Sequence, residues 1–434
     1  MPTQTVMPSA AADSPTSGSS EPSALPLAVA ASGPTAASGA PAPLVGDARP
    51  WRTATIVGSA TWLAAAVTYL LVTVLSWMIP DKPGPAMSRL YQAWDHWDTG
   101  YYMRISQLGY TADRPDTHAF FPLYPILLRC VDAIVPGPTL VATLVLANMC
   151  CLGALVVLHR FVASEFGSTV ASRTLLFLMA FPTAFFLSAG YNASLFLLLS
   201  VSALYCLRSG RFWAAGAIGA LASATRLTGA LLVLPFVIEY ARQRGWRLPS
   251  TRVSWRGVLD RDAAAVLLIP AGVGAFAMFC WVQFGHPLDF LHAQRYWGRH
   301  FAMPWDTFGE ALGVVSQQPM VLYQATLHNI IDIAFAAIAI VLLTLCVVGR
   351  WRFRRDQLFL VAYSGAALLS ILVGPNLGLF PMMSVPRYAL ELVPAFIVLA
   401  RLGASRVFER IYLLPAVGLQ AVFLLTFLNN VWIA

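Results

Sequence analysis

A bundle of transmembrane helices is the fold class this sequence predicts, and two observations carry the prediction. Of the 434 residues, 58% are hydrophobic and only 11% are charged, against roughly 25% charged in a soluble domain. The apolar residues also fall into runs close to the ~20 needed to cross a bilayer, and short basic clusters separate these runs. The expectation is an all-α, polytopic integral membrane protein whose main solvent is the lipid bilayer.

Long apolar runs lie near 54–79, 138–160, 173–190, 192–208, 263–284, 330–348, 357–374, 386–401 and 411–431. The stretch 212–240 reads as one tilted helix or as two short ones, 212–225 and 227–240, turning at Arg226. Charge chooses between them. Arg242, Arg244, Arg247, Arg252, Arg256 and Arg261 form the densest basic loop. Only two short helices place that loop on the same side as Arg160 to Arg173, Arg208 to Arg211, Arg350 to Arg355 and Arg401 to Arg410. With the N-terminus inside, anchored by Arg49 and Arg52, the positive-inside rule gives about eleven spans. Residues 1–48 are rich in Ala, Ser, Pro, Gly and Thr and lack an apolar signal core. They are expected to form a disordered cytoplasmic tail ahead of a membrane domain over 49–434.

The net charge of +8 comes from 28 basic residues, all Arg except Lys82. A nucleic-acid binder would line one wet face with them; here they are dispersed as loop anchors, which excludes that class. The six Cys lie in or beside apolar stretches without CxxC spacing, so they read as packing residues.

The same topology turns 80–137, the turn at 190–192, the Arg226 turn, 285–329 and 375–386 to the outer face. Six of the seven His, all but His159, are there, while the inner loops look like plain anchors. Chemistry is therefore expected at the outer leaflet, in extracytoplasmic loops. The aromatic segment 119–135, interrupted by Pro122 and Pro125, is expected as a helix lying on that leaflet.

The first outer loop reads AWDHWDTGYYMRISQLGY, with Asp95 and Asp98 among Trp94, Trp97, Tyr101 and Tyr102. A carboxylate in an aromatic pocket suits a general base, although an aromatic belt with solvated acids would have the same composition. Asp95, His96 and Asp98 are too few donors for an oxygen-ligand metal site. Arg226 is an isolated charge between two apolar half-helices, costly on insertion scales by about 2.5–3.5 kcal/mol at a helix centre, and so requires a partner. Arg387 is similar, with Glu391 four residues on, one helical turn away, as a candidate pair. In 285–329, Arg295, Arg299, His286, His292 and His300 mix with Tyr296, Trp297 and Trp305. Aromatic faces beside cationic donors suit sugars or lipid phosphates, and interfacial anchoring explains the Trp equally well. The His spacing fits no zinc motif, so neither metal nor other cofactor is expected. The sequon Asn192-Ala193-Ser194 sits at a tight turn against the membrane and is read as chance.

With these residues in place, the chain from about Thr53 to the last run resembles the PIG-V family of dolichyl- or polyprenyl-phosphate-mannose-dependent mannosyltransferases, which have the GT-C fold. The resemblance is carried by Trp97-Asp98, Ile105-Ser106 and Gly109-Tyr110 in the family's spacing, and by FFPLYP at Phe120 to Pro125. It continues through Ser188-Ala189-Gly190-Tyr191 with Ser194-Leu195-Phe196, Arg226 with Thr228-Gly229, and Pro386-Arg387-Tyr388. One departure is Ala193, where the family's pattern has a Glu two residues after the turn Tyr.

The resemblance implies a GT-C-like membrane enzyme and maps the family's outer-loop Asp onto Asp98, not Asp95. It implies Asp98 as catalytic base and Arg226 and Arg387 as donor-phosphate residues. Asp95, Trp97, Tyr191, Arg295, Trp297 and Tyr388 become candidate substrate contacts. The implied donor is a polyprenyl-phosphate-linked sugar and the implied reaction a single inverting displacement without metal. Eukaryotic members act in GPI-anchor synthesis. The Ala- and Arg-rich composition is that of a high-GC bacterial chain, where a glycolipid, a lipoglycan or a protein would be the acceptor; a partner subunit is left open. The rival class is a lipid or solute transporter, which the broken 212–240 pair also fits. The sequence shows no internal repeat, and its acidic and aromatic features gather in outer loops instead of at the midplane.

Overall fold

The computed structural model describes residues 48–78, 87–245, 260–317 and 324–433. The expected tail falls outside them apart from Ala48, as do parts of the basic loop after Gly245 and of the long loop before Gln324. Among the described residues the chain is helical, with a single isolated bridge between Arg299 and Asn376 as its only β pairing.

The N-terminal half begins with α1 (Ala48–Leu75) and α2 (Met87–Gln92), then α3 (Asp98–Leu108) and α4 (Leu123–Asp132). It continues with α5 (Thr139–Phe166), α6 (Ser168–Met179), α7 (Ala193–Arg208), α8 (Phe212–Ser223) and α9 (Val233–Gln243). The C-terminal half holds α10 (Ala271–Phe284), α11 (Asp289–His292), α12 (Pro304–Gln317), α13 (Gln324–Leu345) and α14 (Leu358–Leu372). It closes with α15 (Val385–Tyr388), α16 (Val393–Leu402) and α17 (Arg406–Leu428).

Four helices, beginning at Pro50, Thr139, Gln324 and Arg406, are long and apolar enough to cross a membrane. The bent pair Arg261–Leu268 and Ala271–Phe284 brings the number to five if it counts as one span. α1 carries exposed Ile56, Leu63, Val67, Leu70, Leu71 and Leu75; an apolar face of that kind is compatible with lipid, so the chain is a multi-pass membrane protein. Length alone does not reach about eleven spans. The run 173–190 becomes α6, which stops at Met179 and gives way to a 3-10 turn at Ala184–Leu187, and 386–401 yields only the ten-residue α16. Pro394 near the start of α16 and Pro182 after α6 mark where these helices cannot extend.

The break at Arg226 is present. α8 ends at Ser223, Arg226 is extended (φ −155°, ψ 147°), and a 3-10 segment Leu227–Leu232 leads into α9. That return runs so close past α8 that a Cβ on Gly229 would stand 2.4 Å from the Ala222 carbonyl carbon. On its other side α8 meets α10 backbone to backbone, where a Cβ on Gly272 would stand 2.1 Å from the Ala220 carbonyl oxygen. Small residues at such crossings are how membrane helices gain van der Waals contact without a hydrophobic driving force. The aromatic segment folds as α4, with Pro122 as its N-cap and Pro125 in its first turn, positions that need no intrahelical N–H.

α5 packs against α1, α6 and α7, and α7 against α8, around buried Phe161, Phe177, Phe196 and Phe236. α7 is 16 residues long, roughly 24 Å at 1.5 Å per residue. Its two ends differ in chemistry. At the C-terminal end Arg208, 6% exposed, donates to Glu165 (2.7 Å), Glu239 (3.4 Å) and Asp356. Glu239, itself fully buried, also accepts from Arg242 (2.7 Å) and Gln243 (2.8 Å). The expectation of plain anchors at these loops is therefore corrected: Arg208 ties together the ends of α5, α7 and α9 and the start of α14.

Removing one partner of a buried ion pair leaves an uncompensated charge, so Arg208→Ala should destabilise the protein by about 3–5 kcal/mol, read as a lower melting temperature in detergent. Asp356 adds a pH dependence. Burial opposes its ionisation, but hydrogen bonds from Arg354 and Arg208 outweigh it and hold the carboxyl down to about 2. A depressed carboxylate contributes stability above its unfolded pKa of about 3.9 and loses it as pH falls toward 2. Asp356→Asn should flatten the acid limb of the melting curve between those values.

Candidate active site

At the N-terminal end of α7 lies a cavity of about 1180 Å³. Its wall is assembled from the start of α3, the turn before α7, the Arg226 break, the 291–301 segment and the stretch from Phe380 to Glu391. Asp98 is the first residue of α3. Trp97, just before it, holds φ 56° and ψ −120°, a conformation that a bulky side chain adopts only under constraint and that concentrates at functional sites. The Trp97 ring meets Trp432 edge-on at 5.0 Å.

Two clasps organise the charges. Arg387 donates through Nη1 to Asp98 Oδ2 at 2.7 Å and through Nη2 to Ser384 Oγ at 3.2 Å. It is 6% exposed and packs over Tyr191 (5.1 Å), Tyr388 (5.3 Å) and Phe186 (5.6 Å). Arg226 donates to Glu391 through Nη1 and to Asn192 Oδ1 through Nε at 2.8 Å, with its guanidinium 5.1 Å from the Tyr388 ring. The Asn192 amide in turn donates to the Thr225 carbonyl at 3.1 Å, which fixes the turn before α7 against the end of α8. Each buried guanidinium thus has a carboxylate on a distant part of the chain.

The anticipated Arg387–Glu391 pair is corrected. α15 stops at Tyr388 and the chain tightens to a 3-10 turn over Ala389–Glu391, so the α-helical spacing that would bring 387 and 391 together does not exist there. Of the residues singled out from sequence, Asp98, Trp97, Arg226, Arg295, Trp297, Arg387 and Tyr388 line the cavity. Tyr191 does not; it is fully buried behind Arg387. Asp95 is also off the wall, in the 93–97 turn, where burial pushes its carboxyl up against the opposing effect of His96. Glu391, Asn192, Arg299 and Trp432 reach the cavity without having been chosen as site residues. The sequence pointed to Glu391 only as a partner for Arg387; it meets Arg226's need of a counter-charge instead. Among the described residues no cluster of three or more His, Cys, Asp or Glu is arranged to hold a metal.

The profile of the mannosyltransferase (PIG-V) family matches residues 69–244. The mouse GPI alpha-1,6-mannosyltransferase 2 is 29% identical over 206 residues, covering 44% of this chain and 41% of that protein. The rat protein of that name is 28% identical over 198 residues, covering 38% and 39%. The chain thus spans about 41% of the length of the mouse enzyme it matches. ArnT from Cupriavidus metallidurans, solved with undecaprenyl phosphate, superimposes with a TM-score of 0.46 at 14% identity, covering 84% of this chain and 76% of that one. The segment matched by that profile supplies Trp97, Asp98, Asn192 and Arg226; Arg295, Arg299, Arg387 and Glu391 come from the chain beyond it.

The Arg226–Glu391 clasp has a separable energetic signature. Glu391→Ala should lower the melting temperature by leaving Arg226 buried without its counter-charge, a loss of about 3–5 kcal/mol. Pairing that change with Arg226→Met should recover much of it, and a double-mutant cycle in detergent reads the coupling.

Proposed function

We propose that this protein is a membrane-embedded mannosyltransferase that moves the sugar from a polyprenyl-phosphate-linked donor to a hydroxyl acceptor. The observation that carries the reading is Asp98: a carboxylate on the cavity wall, in the PIG-V segment, with one oxygen held by a buried guanidinium. Arg387 occupies Oδ2 and fixes the carboxylate plane, so Oδ1 is the atom available to an acceptor hydroxyl. In this mechanism the acceptor oxygen attacks the anomeric carbon while its proton passes to Asp98 Oδ1. The bond from that carbon to the phosphate oxygen breaks with its electron pair on the phosphate, and inversion follows from the single displacement. Arg387 is a positioning residue for the base. Trp97 and Trp297, with Tyr101 and Tyr102, give the cavity aromatic faces of the kind that stack on sugar rings.

The active site is assigned to the extracytoplasmic face. Support comes from the separation of charges along α7: the Arg208 network and the basic segments lie at one end and the cavity at the other, and basic loops favour the cytoplasm. A lipid-linked donor is then the accessible form of activated sugar. The acceptor class is a glycolipid, a lipoglycan or a protein.

Two experiments test this. General-base catalysis contributes about 10²- to 10⁴-fold, so Asp98→Asn should lose at least 10²-fold in transfer of radiolabelled mannose from polyprenyl phosphate, read on the folded fraction because its melting temperature also falls as buried Arg387 loses its counter-charge. Asp95→Asn, off the cavity wall, should retain most of its rate; near-native turnover by Asp98→Asn would sink the assignment. For sidedness, single Cys at Ser250 and at Gln317 on a background lacking the native Cys are treated with an impermeant thiol reagent in intact cells. Labelling of Gln317→Cys alone is expected, and labelling of Ser250→Cys alone would invert the topology.

A further inference from the structure

The cavity wall holds four guanidinium groups, Arg226, Arg295, Arg299 and Arg387, against two carboxylates, Asp98 and Glu391. Asp98 is taken by Arg387 and Glu391 by Arg226. Arg295 and Arg299 have no carboxylate partner among the described residues. Four cations less two anions leaves the cavity with two positive charges that its own wall does not neutralise. A sugar phosphodiester carries one negative charge. The polyprenyl phosphate that departs is a monoester whose second ionisation lies near pH 6, so its charge approaches two at neutral pH. The surplus matches the product phosphate, and half of it is called on only as the bond breaks, which is where charge stabilisation accelerates a reaction.

Arg299 is built for that position. Its backbone is pinned by the bridge to Asn376: His300 N–H donates to Pro375 O at 3.1 Å, Leu377 N–H to Gly298 O at 2.8 Å, and the Asn376 amide to Trp297 O at 3.0 Å. The side chain is half-buried, and Nη1 lies 3.9 Å from where a Cβ on Gly374 would stand. The guanidinium therefore rests over bare backbone, and its donors are uncommitted. Next to it the wall turns apolar, through Val373, Ile371 and Ala367 on and after α14 and Leu231 and Leu227 across from them. Leu227 is 44% exposed where it lines the cavity, so the apolar part of the wall offers an isoprenoid chain an accessible surface.

Resting on the mannosyltransferase reading, we infer that Arg299, with Arg295 four residues before it, grips the phosphate of the lipid donor, and that the isoprenoid chain lies along the wall from Val373 to Leu227. Arg226 and Arg387, expected from sequence to meet the phosphate, instead have their charge absorbed by Glu391 and Asp98. They shape the cavity and the base. The electron pair released onto the phosphate oxygen during transfer is stabilised at Arg299, and the acceptor proton is held separately at Asp98.

The test separates binding from turnover. Binding of polyprenyl phosphate alone to purified wild type, Arg299→Gln and Arg299→Lys is measured in nanodiscs, beside steady-state transfer from polyprenyl-phosphate-mannose. Arg299→Gln should weaken polyprenyl phosphate binding about 10- to 100-fold, the range of one or two charged hydrogen bonds, with Arg299→Lys intermediate. Ile371→Trp should weaken a long-chain polyprenyl phosphate more than a ten-carbon isoprenyl phosphate. Native affinity in Arg299→Gln, or an equal loss for both chain lengths in Ile371→Trp, overturns the inference. Should Arg299→Gln fail to fold, the Arg299→Lys and Ile371→Trp measurements decide. If wild type binds polyprenyl phosphate through Arg299 but transfers no sugar, the site stands and the mannosyltransferase reading fails.

Discussion

The ion pair between Asp98 and Arg387, 2.7 Å long and closing a loop of 289 residues, is the constraint on which the cavity depends. Asp98 opens a helix in the first third of the chain, and Arg387 lies in the short helix α15, before α16 and α17. Neither has a local partner of opposite charge that would serve as well. Their meeting draws the two ends of the chain onto one side of the cavity, and Tyr191, Tyr388 and Phe186 shield the guanidinium from water. A pair so sheltered is screened little by salt and costs much to separate. It sets the orientation of the carboxylate more firmly than a loop Asp could set its own.

The second clasp, Arg226 with Glu391 and Asn192, has the same logic from the other wall. It explains why a lone arginine is tolerated between two short helices: the helix is interrupted at that residue, so the charge sits at a bend and not inside a span. Gly229 then lets the returning chain press against the end of α8. Charge, break and close approach are one device, and each is costly without the others.

The sequence made the helical membrane fold legible because composition and run length depend only on local residues. The break at Arg226 was legible for the same reason, since a charge in an apolar stretch is a local anomaly. The resemblance to the PIG-V pattern, through the distance to Gly109 and Tyr110, implied Asp98 in preference to Asp95, and the structure puts only Asp98 on the cavity wall. What sequence could not supply was partnership. The spacing of 387 and 391 looked helical, yet the turn over Ala389–Glu391 sends Glu391 to Arg226, 165 residues away. Arg299 was named with Arg295 among the cationic donors of 285–329, but its place on the cavity wall rests on a two-residue bridge to Asn376, a contact with no periodicity to betray it. The short helices were misjudged in length because apolar runs in a buried region can include 3-10 turns without any polar interruption.

The network around Arg208 has a consequence for how the chain is made. Glu165 and Arg208 leave the ribosome early, and Glu239 follows, but Asp356 arrives about 150 residues after Arg208. From Glu239 onward through that interval, two of the junction's three carboxylates have been made and the third has not. The N-terminal helices can enter the membrane one by one, since synthesis runs from the N-terminus. Their charged ends reach final pairing only when α14 arrives. A nascent chain that stops before residue 356 therefore carries this ionic junction without the carboxylate that ties it to α14.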